Sequence, residues 1–443
     1  MATKQIIPFW VILYLCIIPM TNIDAQTFVS YFTGDTSDVT STVKGGIVLM
    51  GGATESDDAM RWFLEQSGGG DIVIIRASGS NGYNNYLFSG LGLTVNSVET
   101  IVTSSLSAAN LPYVAQQIRR AEGLWIAGGD QANYVNFWKD GPVEDAIRYL
   151  IHTKKAPVGG TSAGMAILGQ AYFAALNGSV TSSQALNNPY NTKVTLGNAD
   201  FLDIDDLKSV ITDTHYDNPD RRGRQIAFMA RLATDFGMDA KGIASEEYTA
   251  VCIDSSGWAR VFGSYPQEQD FAYFLQINCE IQDARPQVCM AGTPLEWSQN
   301  QAVIKVYKVP GTVTGSNWFY LRDWKSSTGA QGAWENWWVE NGILKTAAGA
   351  PPLCLSITHA AQSGSGIQIY PNPSNGTIHI QAKDYQSPIY VEIVNMQGLL
   401  QTSFTINQPN STQYLGLKST GLYLLRTRTQ TGTSIYPIIF TQP

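Results

Sequence analysis

The sequence predicts an α/β domain with a mostly parallel sheet covered by helices on both faces, then a small β-rich extension and a carboxyl-terminal β-sandwich. Three observations carry this expectation. Between Gly45 and Asp254 apolar runs of strand length alternate with helical patterns. Beyond residue 280 the alternation gives way to short strand-like runs and turns. From residue 367 onward apolar and polar side chains alternate with a period of two, punctuated by Gly and Asn.

The elements follow in order. GGIVLM from Gly45 reads as a buried strand, Asp57 to Gln66 as an amphipathic helix, and DIVII and TIVTS as further strands. A helix from Leu111 to Ala121 precedes the strand LWIAGG, and a helix from Val143 to His152 precedes the strand APVGG. Another helix follows Ser162, and TAVCID closes the series. QAVIKVYKVPG and the segment from Asn317 to Gly342 read as short strands of the extension, residues 281–348. Small residues with Pro, Gly and Ser mark 349–366 as a linker to the sandwich, 367–443.

At 443 residues with 44% hydrophobic content, the chain is long enough for two or three domains. A charged fraction of 14% and a net charge of −8 exclude a basic field for nucleic acid. Residues 1–26 carry Lys4, an apolar stretch from Ile6 to Met20 and the small Ala25, the layout of a secretory signal peptide; the α/β region then spans 27–280. Export permits disulfides. Cys279 with Cys289 would close a short loop, Cys252 in its apolar run reads as a buried thiol, and Cys354 completes the set after processing. No His or Cys grouping has metal-ligand spacing, so neither a metal nor an organic cofactor is expected.

Gly160-Thr161-Ser162-Ala163-Gly164 fits G-x-S-x-G between a buried strand and a helix. The flanking glycines allow a tight turn that lifts the serine out of the sheet's end, where amide groups favour developing negative charge. The same serine could instead be a helix cap. A nucleophile needs a base, and the chain has four histidines. His359 falls in the linker, His379 in the sandwich and His152 in the helix before the serine's own strand, which leaves His215 in VITDTHYDNPDRRGR. Glu246 and Glu247, ahead of the TAVCID strand, supply an orienting carboxylate. The resulting order of serine, histidine, acid differs from that of the α/β-hydrolases.

GGTSAGMAIL around Ser162, GGDQ at Gly128 to Gln131, DTHY at Asp213 to Tyr216 with the following RRGR, and GIASEEYTA at Gly242 to Ala250 together resemble the cyanophycinase and dipeptidase E family of serine peptidases. The resemblance spans roughly Lys44 to Ile253 and implies a fold similar to class I glutamine amidotransferases. It implies Ser162 as nucleophile, His215 as base and then acid, and Glu247 as the orienting carboxylate, since the family's acid stands two residues before a Thr-Ala pair, here Thr249-Ala250. It implies an oxyanion hole from the amides of Ala163 and the Gly129–Asp130 turn, and substrate contacts from Gln131, Asp213, Thr214, Arg222 and Arg224. The implied substrate is cyanophycin, a polyaspartate bearing arginines on its side chains, or a related peptide rich in aspartate and arginine; a homodimer is left open. Two departures bear on the polymer. Thr214 stands where cyanophycinases have glutamine, and YDNPD lengthens the segment before Arg222.

YPNPSNG near Tyr370, VEIVNMQG near Val391 and STGLYLLRTRT near Ser419 resemble the type A sorting domain of the type IX secretion system, which implies that machinery as a partner and a secreted or outer-membrane-surface location. The alternative is an ordinary adhesion sandwich. Five of the eleven tryptophans lie between Trp318 and Trp338, where they serve either as the core of a small β-module or as a sugar-stacking platform. Two further functions compete with a cyanophycin peptidase: a non-catalytic surface binding protein that keeps the fold, and an aspartyl dipeptidase that does not cut the polymer.

Overall fold

The computed structural model describes residues 28–329 and 331–353 and most of 367–441; the expected signal peptide and most of the linker lie outside these residues. Up to Ala348 the chain builds two large mixed sheets flanked by helices. The first has ten strands. At its centre five adjacent strands run parallel, in the order Ser97–Val102, Asp71–Arg76, Gly123–Ile126, Val158–Thr161 and Ile47–Met50.

These strands read as unbroken apolar runs because both of their faces are buried. Ile47 and Leu49 enter one core cluster, and Val48 and Met50 enter the other. On one face lies the helix Asp57–Gln66. Ser56 caps it, two aspartates occupy its first turn, and Met60, Phe63 and Leu64 pack with Val48, Ile72 and Trp125. On the other face lie Pro112–Arg120 and Pro142–Tyr149, each begun by a proline and each burying its apolar stripe through Val114, Ile118, Val143 and Ile147.

The second sheet has eight strands and is mostly antiparallel. Within it Val210–Asp213 runs parallel to Lys241–Ser245 and to Ala171–Phe173. Phe274 and Val309 share a cluster with Leu49 and Val251, so one face of this sheet packs on the first sheet. The helix Arg222–Phe236 covers the opposite face, where Ile226 and Met229 meet Tyr273, Leu275 and Trp337.

The expected mostly parallel single sheet is therefore corrected to two mixed sheets with a parallel centre of five strands. Periodicity reports that a run is a buried strand but not which sheet takes it. For the same reason residues 281–348 are not a separate extension. Ile304–Pro310 pairs with Phe271–Ile277, and Asn317–Tyr320 pairs with Trp258–Phe262. Trp324 and Trp337 are buried in two different clusters of the peptidase-like unit, and Trp318 stacks under the Arg260 guanidinium at 4.5 Å. Cys279 is disulfide-bonded while Cys289 and Cys252 are buried free thiols, so the expected Cys279–Cys289 loop is not formed.

Residues 367–441 contribute a three-stranded and a four-stranded antiparallel sheet. Ile378 and Ile380 of the first share one buried cluster with Val391, Ile393, Leu425 and Ile438 of the second, and no described residue before Ile367 enters it. A unit with its own core folds by itself. Removing residues 367–443 is expected to leave the melting midpoint of the remainder unchanged while abolishing export; a truncated protein that is unfolded by circular dichroism would refute this independence.

Candidate active site

Ser162 directly follows the carboxyl end of Val158–Thr161, with φ 51° and ψ −116°. A non-glycine residue at positive φ is strained, and its neighbours must hold it there. Its amide donates to the Met50 carbonyl at 3.1 Å. The glycines on either side are required by close approach. A Cβ on Gly160 would lie 2.5 Å from the carbonyl carbon of Gly164, and one on Gly164 would lie 2.1 Å from the Ile126 oxygen. The helix expected after Ser162 is only one turn, Ala163–Ala166, so any oxyanion stabilisation falls to individual amides rather than to a helix dipole.

His215 and Glu247 come from the second sheet, just past the ends of the parallel strands Val210–Asp213 and Lys241–Ser245. The His215 Nε2 lies 2.8 Å from Ser162 Oγ, and its Nδ1 lies 2.6 Å from Glu247 Oε1. Asn218 Nδ2 donates to Glu247 Oε2 at 3.2 Å, and Asp217 accepts from the Glu247 amide at 3.0 Å. The His215 hydrogen bond, the largest cause, holds the Glu247 carboxyl below its usual range.

The two sheets meet at Gly51–Gly52, a pair the sequence reading passed over. Gly51 accepts from the His215 amide at 2.8 Å. A Cβ on Gly52 would lie 2.4 Å from the imidazole, so only glycine leaves room for the ring. The visible trace in the sequence was a Gly-Gly pair closing the strand IVLM.

Glu246 points elsewhere. It is buried, and it accepts from the Tyr273 hydroxyl at 2.7 Å and the Phe271 amide at 2.8 Å. Burial pushes its pKa from 4.5 up to about 7. Because the folded value lies above the unfolded one, this contribution is fully present at low pH and is lost as pH rises from about 4.5 through 7, a change of about 3 kcal/mol. Glu246→Gln stays neutral and is expected to flatten that fall in urea denaturation measured from pH 4.5 to 8; identical slopes in the two proteins would exclude Glu246 as the group.

The segments expected to supply the oxyanion donors lie beside the serine. Ala163 is buried immediately after Ser162, and a Cβ on Gly128 would sit 3.5 Å from the Ser162 Cβ. Tyr134 ties this loop down by donating to the carbonyls of Ala127 at 2.8 Å and Gly128 at 3.1 Å. Asp130 caps the helix Gln131–Trp138 through the Ala132 amide, and Gln131 opens that helix.

The expected substrate contacts divide. Asp213 and Arg224 are both buried and bind each other, with Nε to Oδ2 at 2.9 Å and Nη2 to Oδ1 at 2.5 Å. Arg224 also donates to Ser179 and packs over the rings of Phe173 and Phe228. Thr214 is buried, and its amide donates to Asp213 at 2.8 Å. Neither the Asp213 nor the Arg224 side chain is free for a ligand. Arg222 forms a half-exposed ion pair with Asp220 at 2.7 Å.

Arg221 was missed. It is partly buried, donates from Nη1 to the Thr214 carbonyl at 3.1 Å, and has no carboxylate partner within ion-pair distance among the described residues. Burial, then the charge of Arg224, pushes its pKa down to about 10. R-R-G-R spacing alone does not say which guanidinium is left unpaired.

A strained serine joined through imidazole to a carboxylate is the arrangement by which serine hydrolases activate a hydroxyl. The chain is similar to several known proteins. Residues 368–441 match the secretion system C-terminal sorting domain. The chain is 28% identical over 150 residues to the cyanophycinase of Trichormus variabilis, covering 34% of this chain and 45% of that protein. It is 28% identical over 231 residues to the cyanophycinase of Thermosynechococcus vestitus, covering 50% and 66%. The chain thus spans about half to two thirds of the length of these curated relatives. Among solved structures, a peptidase from an acI-B1 Actinobacterium matches with a TM-score of 0.38 at 14% identity, covering 61% of this chain and 96% of that one. A putative peptidase E protein from Listeria monocytogenes EGD-e matches with a TM-score of 0.31 at 18% identity, covering 50% and 100%. Over about half of its length the chain is thus similar to cyanophycinases, and residues 368–441 match a secretion sorting domain. The sorting domain indicates type IX export to the cell surface or beyond.

Proposed function

We propose that this protein is an exported serine peptidase that hydrolyses aspartyl peptide bonds in substrates rich in aspartate and arginine. The observation that carries the reading is the continuous hydrogen-bond path from Glu247 through His215 to Ser162. His215 takes the Ser162 proton as Oγ attacks the carbonyl carbon, and Glu247 stabilises the imidazolium. The oxyanion faces the amides of Ala163 and the Gly129–Asp130 turn. His215 then protonates the leaving amine, and water attacks the acyl-enzyme by the same route in reverse. No step calls on a cofactor. The secretion machinery is its partner during export.

Arg221 is the guanidinium available to grip a substrate carboxylate, because Arg224 and Arg222 are already paired. Arg221→Lys is expected to raise KM or lower kcat by about 10-fold or more on β-Asp-Arg, a loss of ~1.4 kcal/mol, with neutral peptides unaffected. Kinetics on the purified variants, with mass spectrometry of products from cyanophycin and β-Asp-Arg, test the substrate class; preference for neutral peptides would overturn it.

One observation favours an aspartyl dipeptidase over a polymer-cutting enzyme: Thr214 is short and buried, so it offers no long amide to the substrate. A non-catalytic binding protein, in contrast, has no use for an aligned serine, base and acid. Fluorophosphonate labelling separates these, since only an activated serine reacts.

A further inference from the structure

Three consecutive carbonyls at the end of the strand Ile47–Met50 each hold a residue of unusual backbone. Met50 accepts from the Ser162 amide at 3.1 Å, Gly51 from the His215 amide at 2.8 Å, and Gly52 from the Tyr248 amide at 3.1 Å. All three donors are non-glycine residues at positive φ: 51° for Ser162, 45° for His215 and 61° for Tyr248. Such conformations cost energy and persist where the surrounding structure imposes them, characteristically at active sites and ligand clamps. Ser162 and His215 have their work in the triad. Tyr248 is placed by the same device, directly after Glu247, and the triad does not use it.

Packing does not account for it either. Among the described residues the only other Phe, Tyr or Trp at positive φ is Trp324, which is 4% exposed and packs against Phe274 and Phe319. Tyr248 is 51% exposed, and among the described residues its side chain has neither a stacked ring nor a hydroxyl partner. The fold thus holds a large aromatic in a strained conformation beside the triad and leaves its ring to solvent. Its surroundings are acidic, since Glu246 and Glu247 precede it and Asp217 accepts from the Glu247 amide. A ring face in such a field attracts a cation and repels an anion.

We infer that Tyr248 is a specificity-determining residue that takes the positively charged side chain of the substrate, a guanidinium above all, on its ring face. The inference rests on the serine peptidase reading above and deepens it: Arg221 serves the substrate's carboxylate there, and its cation is left without a partner. A guanidinium stacks flat on an aromatic ring, whereas an apolar side chain gains no charge attraction from it.

The test is protection of the full-length protein against fluorophosphonate labelling by β-Asp-Arg and by β-Asp-Leu, read as the ratio of the half-protecting concentration of β-Asp-Leu to that of β-Asp-Arg. In the wild type this ratio is expected to exceed one. Tyr248→Asn removes the ring and tolerates the left-handed backbone, and it should shrink the ratio on the order of 3- to 30-fold. Tyr248→Gly, with the freest backbone, should do the same. Tyr248→Phe keeps the ring face and should keep the ratio, and melting midpoints establish that each variant is folded. Equal protection by the two dipeptides, or a ratio unchanged in Tyr248→Asn and Tyr248→Gly, overturns the inference while the serine reading stands. A wild-type protein that is not labelled, or that neither dipeptide protects, overturns the reading itself and the inference with it.

Discussion

Ser162→Ala and His215→Ala are each expected to lower turnover of an aspartyl peptide by on the order of 10⁴ to 10⁶, because serine, base and orienting acid act as one unit and removing either of the first two disables all three. Glu247→Gln should cost less, since the amide still occupies the place beside His215 but supplies no charge to the imidazolium. Glu246→Gln should cost far less again, because its side chain faces Tyr273 and Phe271 rather than the imidazole. Steady-state kcat for the four purified variants, with fluorophosphonate labelling of each, decides the matter. Equal losses at both glutamates would refute the assignment of Glu247, and full activity in Ser162→Ala would end the serine mechanism.

Asp213→Ala is expected to destabilise the fold by about 3–5 kcal/mol, since it leaves the buried Arg224 guanidinium without its carboxylate. The loss should be visible in urea denaturation at neutral pH. Replacing both partners with apolar side chains of similar size should recover most of it, because no uncompensated charge then remains. The pair also bears on catalysis, as Asp213 accepts from the Thr214 amide next to His215. Asp213→Ala should therefore reduce kcat in the fraction that folds. A change of less than 1 kcal/mol would mean that the pair is not structural and that Arg224 is free to meet substrate.

The pairing of Arg224 shows where sequence reading stops. DTHY followed by RRGR was visible as a cluster of chemistry, yet Arg222 and Arg224 were the expected substrate ligands and Arg221 was passed over. Which guanidinium is paired depends on the helix Arg222–Phe236 lying across the strand Val210–Asp213, a relation between two elements that no local pattern records. The Cys279–Cys289 loop failed in the same way, since closeness in sequence does not set distance in space.

What the sequence by itself determined is local. The unbroken apolar runs and the Gly-flanked Ser162 are legible because burial and backbone freedom act over a few residues, whereas the choice of Glu247 over Glu246 came only from the family resemblance. Only the tertiary structure decided that the strands divide between two mixed sheets and that residues 281–348 complete both of them. It also decided that Ser162 comes from one sheet while His215 and Glu247 come from the other, with Gly51–Gly52 among the contacts beside the site. The physical reason is that a strand's period specifies which of its faces is buried but is blind to which neighbour takes up its backbone hydrogen bonds, and that choice is made by long-range packing.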